Sequence, residues 1–266
     1  MPTILNSQDD IHFARSPMSH SDTPESTEAP ADMRRRSYRP PPIASVRLLT
    51  AKDLLHGIRP LAAEHKQLDL AEVTLNAPLW CAGDTSLVER KAVAVVGTRG
   101  VSAEGAARTR RLARELTEAG ITIVSGLARG VDTEALTSAI NSGSKVIAVI
   151  GTPIDKAYPA ENKKLQEEIY TNHLLISQFT PGSRVFPSHF PLRNRLMALL
   201  TDASVIVEAG ETSGTLHQAA ECVRLGRWLF IARSVVENPA LSWPKTFISY
   251  EKCRVLTQTA DILGAL

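Results

Sequence analysis

The chain has 266 residues, 43% of them hydrophobic and 22% charged, enough for one medium α/β domain with additional segments. Formal net charge is only +2, so no overall basic excess marks a nucleic-acid partner, although 17 lysines and arginines face 13 acids from Lys91 to Val235. No apolar run reaches the roughly 18 residues of a membrane span, the early Asp9 and Asp10 speak against a secretion signal, and the widely spaced Cys81, Cys222 and Cys253 exclude a zinc or disulfide framework, predicting free thiols in a reducing cytoplasm and no metal.

Residues 1–45 read as a disordered tail, since seven of the 16 prolines fall there, glycine is absent and apolar residues follow no period. The Arg34–Arg36 cluster, with Arg39 nearby, reads as a solvated basic patch. Residues 46–90 form a short lead-in element: a helix over Val46–Leu55, a strand over Ala77–Trp80 and a turn at Gly83–Asp84.

From residue 91 to 266 short apolar runs alternate with helical stretches. Strands are expected at Val93–Gly97, Ile121–Ser125, Val146–Ile150, Leu174–Ser177, Val205–Val207 and Trp228–Ile231, each nearly continuous in apolar residues, as in a strand covered on both faces. Helices are expected at Ala106–Ala119, Asp132–Asn141, Glu161–Tyr170, Leu192–Leu200 and Thr215–Leu225, several stopped by Gly120, Gly143 or Gly226. Arg254–Thr257 reads as an edge strand and Ala260–Leu266 as a short helix. This order predicts a Rossmann-like, doubly wound and mainly parallel sheet with helices on both faces.

In such a sheet, ligands bind beyond the carboxyl ends of the strands. Three glycine- and hydroxyl-containing loops fall there: Gly97–Gly100 followed by Ser102, Ser125–Asp132, and Glu208–Thr215. Their backbones can approach an anion and donate to it. A fourth segment, Phe190–Arg195, opens a helix with Arg193, Asn194 and Arg195. Arginine there opposes the helix dipole, which calls either for a bound anion or for a salt bridge to Asp202, Glu208 or Glu211. The dinucleotide fingerprint, the P-loop and the nucleophile elbow are all missing, so no cofactor and no catalytic residue is assigned. His189 and His217 read as structural histidines.

The ordered motifs VAVVGTR, SGLARGVD, VIAVIGTPIDKAYPAEN, FPLRNR and VIVEAGETSGTL, with APLWCAGD ahead of them, resemble the DprA/Smf DNA-processing family from residue 92 to about 235. GTR stands where that family usually reads GSR, and Ala232-Arg233-Ser234 where it usually reads Pro-Gly. The resemblance implies a Rossmann-like fold and single-stranded DNA binding without sequence preference. It also implies a homodimer and, in natural transformation, delivery of the RecA recombinase onto DNA. It marks as DNA-binding positions Arg99, Ser125, Gly126, Arg129, Arg193, Asn194, Arg195, Ser213 and Gly214, and the reading of the first loop adds Gly97 and Thr98 as phosphate-binding. Arg99, Arg193 and Arg195 are then expected to line one groove, where aromatics are few beyond Phe186 and Phe190. The rival reading is a nucleotide sensor or a LOG-type phosphoribohydrolase. Against the hydrolase, Gln218 stands where a catalytic glutamate is needed, and Glu221 lies nearly a helical turn further on.

Overall fold

The computed structural model describes residues 37–55 and 75–266. In chain order it contains β1 (Val46–Thr50), α1 (Ala51–Leu55), β2 (Pro78–Gly83), β3 (Ala92–Val96), α2 (Ala103–Glu118), β4 (Thr122–Ser125), α3 (Val131–Asn141) and β5 (Val146–Ile150). There follow α4 (Lys163–Asn172), β6 (Leu174–Ser177), α5 (His189–Leu200), β7 (Ala203–Ile206), α6 (Thr215–Arg224) and β8 (Trp228–Ala232). The last elements are α7 (Arg233–Val236), α8 (Pro244–Ile248), β9 (Cys253–Leu256) and α9 (Ala260–Leu263).

The strands form one nine-stranded sheet of order β1-β2-β6-β5-β4-β3-β7-β8-β9. Every pairing from β6 to β9 is parallel, as the alternating pattern predicts, and β1 and β2 join antiparallel beyond β6. Strands β3 to β7 are buried along their whole length because helices cover both faces. One core lies under α2, α3, α4 and α9, with Leu112, Ala135, Ile169 and Ile262 in it. The other lies under α1, α5, α6 and α7, with Leu54, Met197, Cys222 and Val235.

Local signals explain individual elements. The Ser102 hydroxyl caps α2 by accepting from the Gly105 amide at 3.0 Å. Leu112, Ala113 and Leu116 form the buried stripe of α2, and Gly120, at φ 79°, ends it. The helix expected over Val46–Leu55 is instead a strand followed by a single helical turn. Pairing of Val46–Thr50 with Pro78–Ala82 extends the first half. Thr50 and Asp53 then cap the turn reciprocally. The Thr50 amide and hydroxyl donate to Asp53 Oδ2 at 2.8 and 2.7 Å, and the Asp53 amide donates to Thr50 Oγ1 at 3.0 Å.

The proposed tail divides. Residues 1–36, with the Arg34–Arg36 cluster, lie outside the described residues. Residues after them attach to the α4 side of the sheet. The Tyr38 hydroxyl donates to the Ile154 carbonyl at 2.9 Å and accepts from Gln166 Nε2 at 2.8 Å. The Arg39 amide donates to Glu167 Oε1 at 2.9 Å, and the Tyr170 hydroxyl donates to the Arg39 carbonyl at 2.8 Å. Burial pushes the Tyr38 phenol above its ordinary pKa, so it remains a donor at neutral pH. Tyr38→Phe is expected to lower stability by about 1 kcal/mol, read as a lower urea midpoint with unchanged slope. An unchanged midpoint would show that this attachment contributes nothing.

Candidate functional site

The chain leaves β3 toward β4 on one side and returns to β7 on the other, so strand order reverses between β3 and β7. The loops after these two strands must diverge, which opens a crevice at their carboxyl ends. A cleft of about 390 Å³ lies there. Gly97, Thr98 and Arg99 line it from the β3 loop, Ser213 and Gly214 from the β7 loop, and Arg193 and Asn194 from α5. A second cleft of about 590 Å³ shares Arg99, Ala128, Phe190 and Arg193 with the first and continues to Arg129, Tyr158 and Glu161. The two make an elongated surface rather than one closed pocket.

Arg193 forms the floor common to both clefts. Its side chain is 7% exposed, with Nη1 3.7 Å from Asp132 Oδ2 and donating to the Val149 carbonyl at 3.2 Å. Its Nε has no hydrogen-bond partner among the described residues. Gly126 makes room for this guanidinium, since a Cβ there would fall 1.0 Å from Arg193 Nη1. Asp132 Oδ2 also accepts from the Gly126 and Ala128 amides at 3.1 and 3.3 Å. Burial pushes the Asp132 carboxyl above the usual carboxylate range, against the pull of Arg193 and these two amides. Burial likewise lowers the Arg193 pKa, although a guanidinium stays charged at neutral pH. Between those two amides Leu127 holds φ 59°, a left-handed conformation that costs a bulky residue roughly 1–2 kcal/mol. Complete burial of the Leu127 side chain and a 2.9 Å bond from Asn162 Nδ2 to its carbonyl hold it there.

The remaining expected residues divide between the cleft and the scaffold. Arg99 is exposed, with its guanidinium 5.5 Å from the Phe190 ring centroid. The Thr98 amide donates to the Glu208 carbonyl at 2.7 Å, which ties the two loops together beneath the cleft. Asn194 Nδ2 donates to the Gly214 carbonyl at 3.1 Å and pins the β7 loop to α5. Ser213 Oγ accepts from the Thr215 amide and hydroxyl at 3.3 and 2.9 Å. Arg129 lines the second cleft and is ion-paired with Glu161.

Two residues are placed elsewhere. Ser125 is fully buried, and its hydroxyl donates to the Val95 carbonyl at 2.7 Å, tying β4 to β3. Arg195 turns toward α6, where Nε meets Glu221 Oε1 at 3.1 Å, and it lines neither cleft. One helical position on from Asn194 its side chain leaves the cleft face, so Arg193 and Arg195 do not share a groove. The three carboxylates considered as salt-bridge partners also have other bonds. Asp202 accepts from the Ala92 amide at 2.8 Å, Glu208 from the Ser102 amide and hydroxyl at 2.9 and 2.6 Å, and Glu211 from the Ser242 amide at 2.9 Å and the Ser242 hydroxyl.

Sequence reasoning missed Asp132 as the partner of Arg193, and Tyr158 on the cleft wall. The signal for Asp132 was an acid in the first turn of a helix, behind a loop that supplies two free amides. His189 stacks on Phe179 at 3.8 Å between centroids, and neither it nor His217 lines either of these two clefts. Gln218 is fully buried and donates to Ser204 Oγ at 2.8 Å, while Glu221 is held by Arg195 and Arg224. Among the described residues no cluster of His, Cys, Asp and Glu could hold a metal.

Comparison with known proteins adds an independent line. A family model described as DNA recombination-mediator protein A matches residues 68–266. The DNA processing protein DprA of Streptococcus pneumoniae is 38% identical over 199 residues, which cover 74% of this chain and 69% of that protein. Its crystal structure aligns with a TM-score of 0.66 and 33% identity over 79% of this chain and 75% of that one. Protein Smf of Synechocystis is 38% identical over 138 residues, 52% of this chain and 35% of the relative. The chain therefore spans only about a third of that relative. A structure of DNA processing protein A from Helicobacter pylori, described for its single-stranded DNA binding mode, aligns with a TM-score of 0.66 and 26% identity over 83% of this chain and 94% of that one.

The geometry around Arg193 makes Gly126 a sensitive position. Gly126→Ala must displace the guanidinium or the β4–α3 loop, and is expected to cost roughly 1–3 kcal/mol. A thermal melt checks it, and a variant as stable as the parent would show that Arg193 does not occupy this space.

Proposed function

The chain belongs to the DNA recombination-mediator protein A family, and from that premise we propose that the paired clefts at the β3/β7 switch point bind single-stranded DNA through its phosphates, without catalysis. The observation that carries this reading is the convergence of an exposed Arg99 and a buried, incompletely bonded Arg193 on one elongated, glycine-lined surface. Arg99 meets a phosphate arriving from solvent. Arg193 supplies fixed positive charge from below, at the cost of no further ordering, because Val149 and Asp132 already hold it. The hydroxyls of Thr98 and Ser213, which only accept among the described residues, and the Gly214 amide add neutral donors, and Arg129 extends the charge along the second cleft.

Phosphate contacts carry no base information, so binding should be sequence-tolerant. Phe190 and Tyr158, 5.8 Å apart and tilted by 50°, offer apolar surface for bases along the same path. In this proposal Arg195 braces α5 against α6 and Ser125 braces the sheet, so neither contacts DNA. Self-association and delivery of RecA in transformation belong to the proposal through the family resemblance alone.

The hydrolase reading is disfavoured by the bonded positions of Gln218 and Glu221, both away from the clefts. Purified protein should release no free base from nucleoside monophosphates. Base release that is lost in Glu221→Ala would establish the enzyme instead.

Titration of labelled single strands at several salt concentrations tests the main reading. The logarithm of affinity should fall linearly with the logarithm of salt, by about 0.7 per phosphate contacted. Arg99→Ala should weaken binding equally for all sequences and flatten the slope by about 0.7, with an unchanged melting temperature because the side chain is exposed. Arg195→Ala should lower the melting temperature and leave the slope fixed. An Arg99→Ala variant that binds as the parent does would sink the proposal.

A further inference from the structure

A third cleft, of about 310 Å³, opens at the same sheet edge but beyond β7, over the ends of β8 and β9. Three guanidinium-bearing residues line it. Arg108 and Arg111 stand on one face of α2, three positions apart, and Arg233 begins α7 directly after β8. Their positive charge is poorly compensated. Among the described residues Arg108 donates only to the Val207 carbonyl, at a long 3.5 Å. Arg111 and Glu115 are 3.7 Å apart, and Glu115 also accepts from the Thr259 hydroxyl. Arg233 and Glu237 are 3.9 Å apart and both well exposed, so the pair contributes little; the Glu237 carboxylate also lines the cleft, which leaves three cations against one anion there. Beneath the arginines the floor is apolar, made of the buried Leu112, Val207 and Leu256.

Convergent guanidiniums above an apolar floor match the two halves of a nucleotide, a phosphate and a flat base. We propose that this cleft is a second binding site, which takes one phosphorylated nucleotide with its phosphate on Arg108, Arg111 and Arg233 and its base against the floor. The nucleotide is either free or one unit of a strand. The site is separate from the switch-point clefts. Val207 faces this cleft and Gly210 the other, and between them the Glu208 carboxylate is bonded to Ser102, which puts a negative charge between the two. This inference does not depend on the DNA reading of those clefts.

Amide NMR of the full chain, titrated with deoxyadenosine monophosphate, inorganic phosphate or an oligothymidylate, tests it. The nucleotide should move the Ser234, Thr257 and Thr259 amides, which surround the cleft, in a saturable way. The double variant Arg111→Glu, Arg233→Glu changes two exposed side chains and should weaken that binding by about tenfold or more, while Arg99→Ala should not alter it. If the oligothymidylate moves the same amides, and the double variant flattens its salt slope, the nucleotide is a unit of a strand. If only the mononucleotide does so, the ligand is free. No movement of these amides with any of the three probes, or movement that survives charge reversal, overturns the proposal. An intact response of the Gly97 and Gly214 amides to the oligothymidylate would still stand, so the two sites fail separately.

Discussion

A guanidinium with its side chain 7% exposed must be compensated by groups that are themselves held in place. Around Arg193 that requirement sets the surrounding backbone. Asp132 must lie at the start of α3, the β4–α3 loop must turn its amides onto that carboxylate, and residue 126 must lack a side chain. Leu127 accepts a left-handed backbone so that the amides on either side of it converge. The partners come from opposite faces of the sheet, since α5 packs on one core and α3 on the other. Their pairing therefore clasps the two layers at the carboxyl edge and fixes the floor of the clefts at the same time.

At the same edge one helix terminus is already occupied by a side chain of the protein. The amino terminus of α2 would ordinarily attract an anion, but Glu208 fills it from within, bonded to the Ser102 amide and hydroxyl. Gly105 leaves the space for that carboxylate, because a Cβ there would fall 2.0 Å from Glu208 Oε2. With that helix terminus satisfied internally, the cationic side chains that line the two clefts are Arg99, Arg193 and Arg129.

The sheet was legible because strands covered on both faces must be apolar throughout, and β3 to β6 read that way without ambiguity. Val46–Leu55 was not, because its extension comes from pairing with β2, a contact distant in the chain, while the Thr50–Asp53 cap that starts the helical turn was on view and unused. At the site, the presence of arginines at the opening of α5 pointed to unusual chemistry. Pattern alone could not separate Arg193 from Arg195, because two positions on a helix differ by about 200° of rotation and only the packed neighbours decide which one faces the cleft. The partners Asp132 and Glu221 depend on how α5 meets α3 and α6, which is tertiary information.

Strand β3 lies at the centre of the parallel part of the sheet, yet its neighbour β7 arrives late in the chain. Ala92 and Asp202, whose bond closes that side, are 110 residues apart. Contacts of such separation form late, after the local β3–α2–β4–α3 units can already assemble. During synthesis at about 5–20 residues per second, an emerging chain would hold its first βαβ units for several seconds with no β7 beside them. Until that strand docks there is no switch point, no α5 guanidinium fixed beneath Gly126 and no β7 loop opposite Thr98. The nascent half of the domain can thus gain secondary structure on the ribosome while neither cleft yet exists.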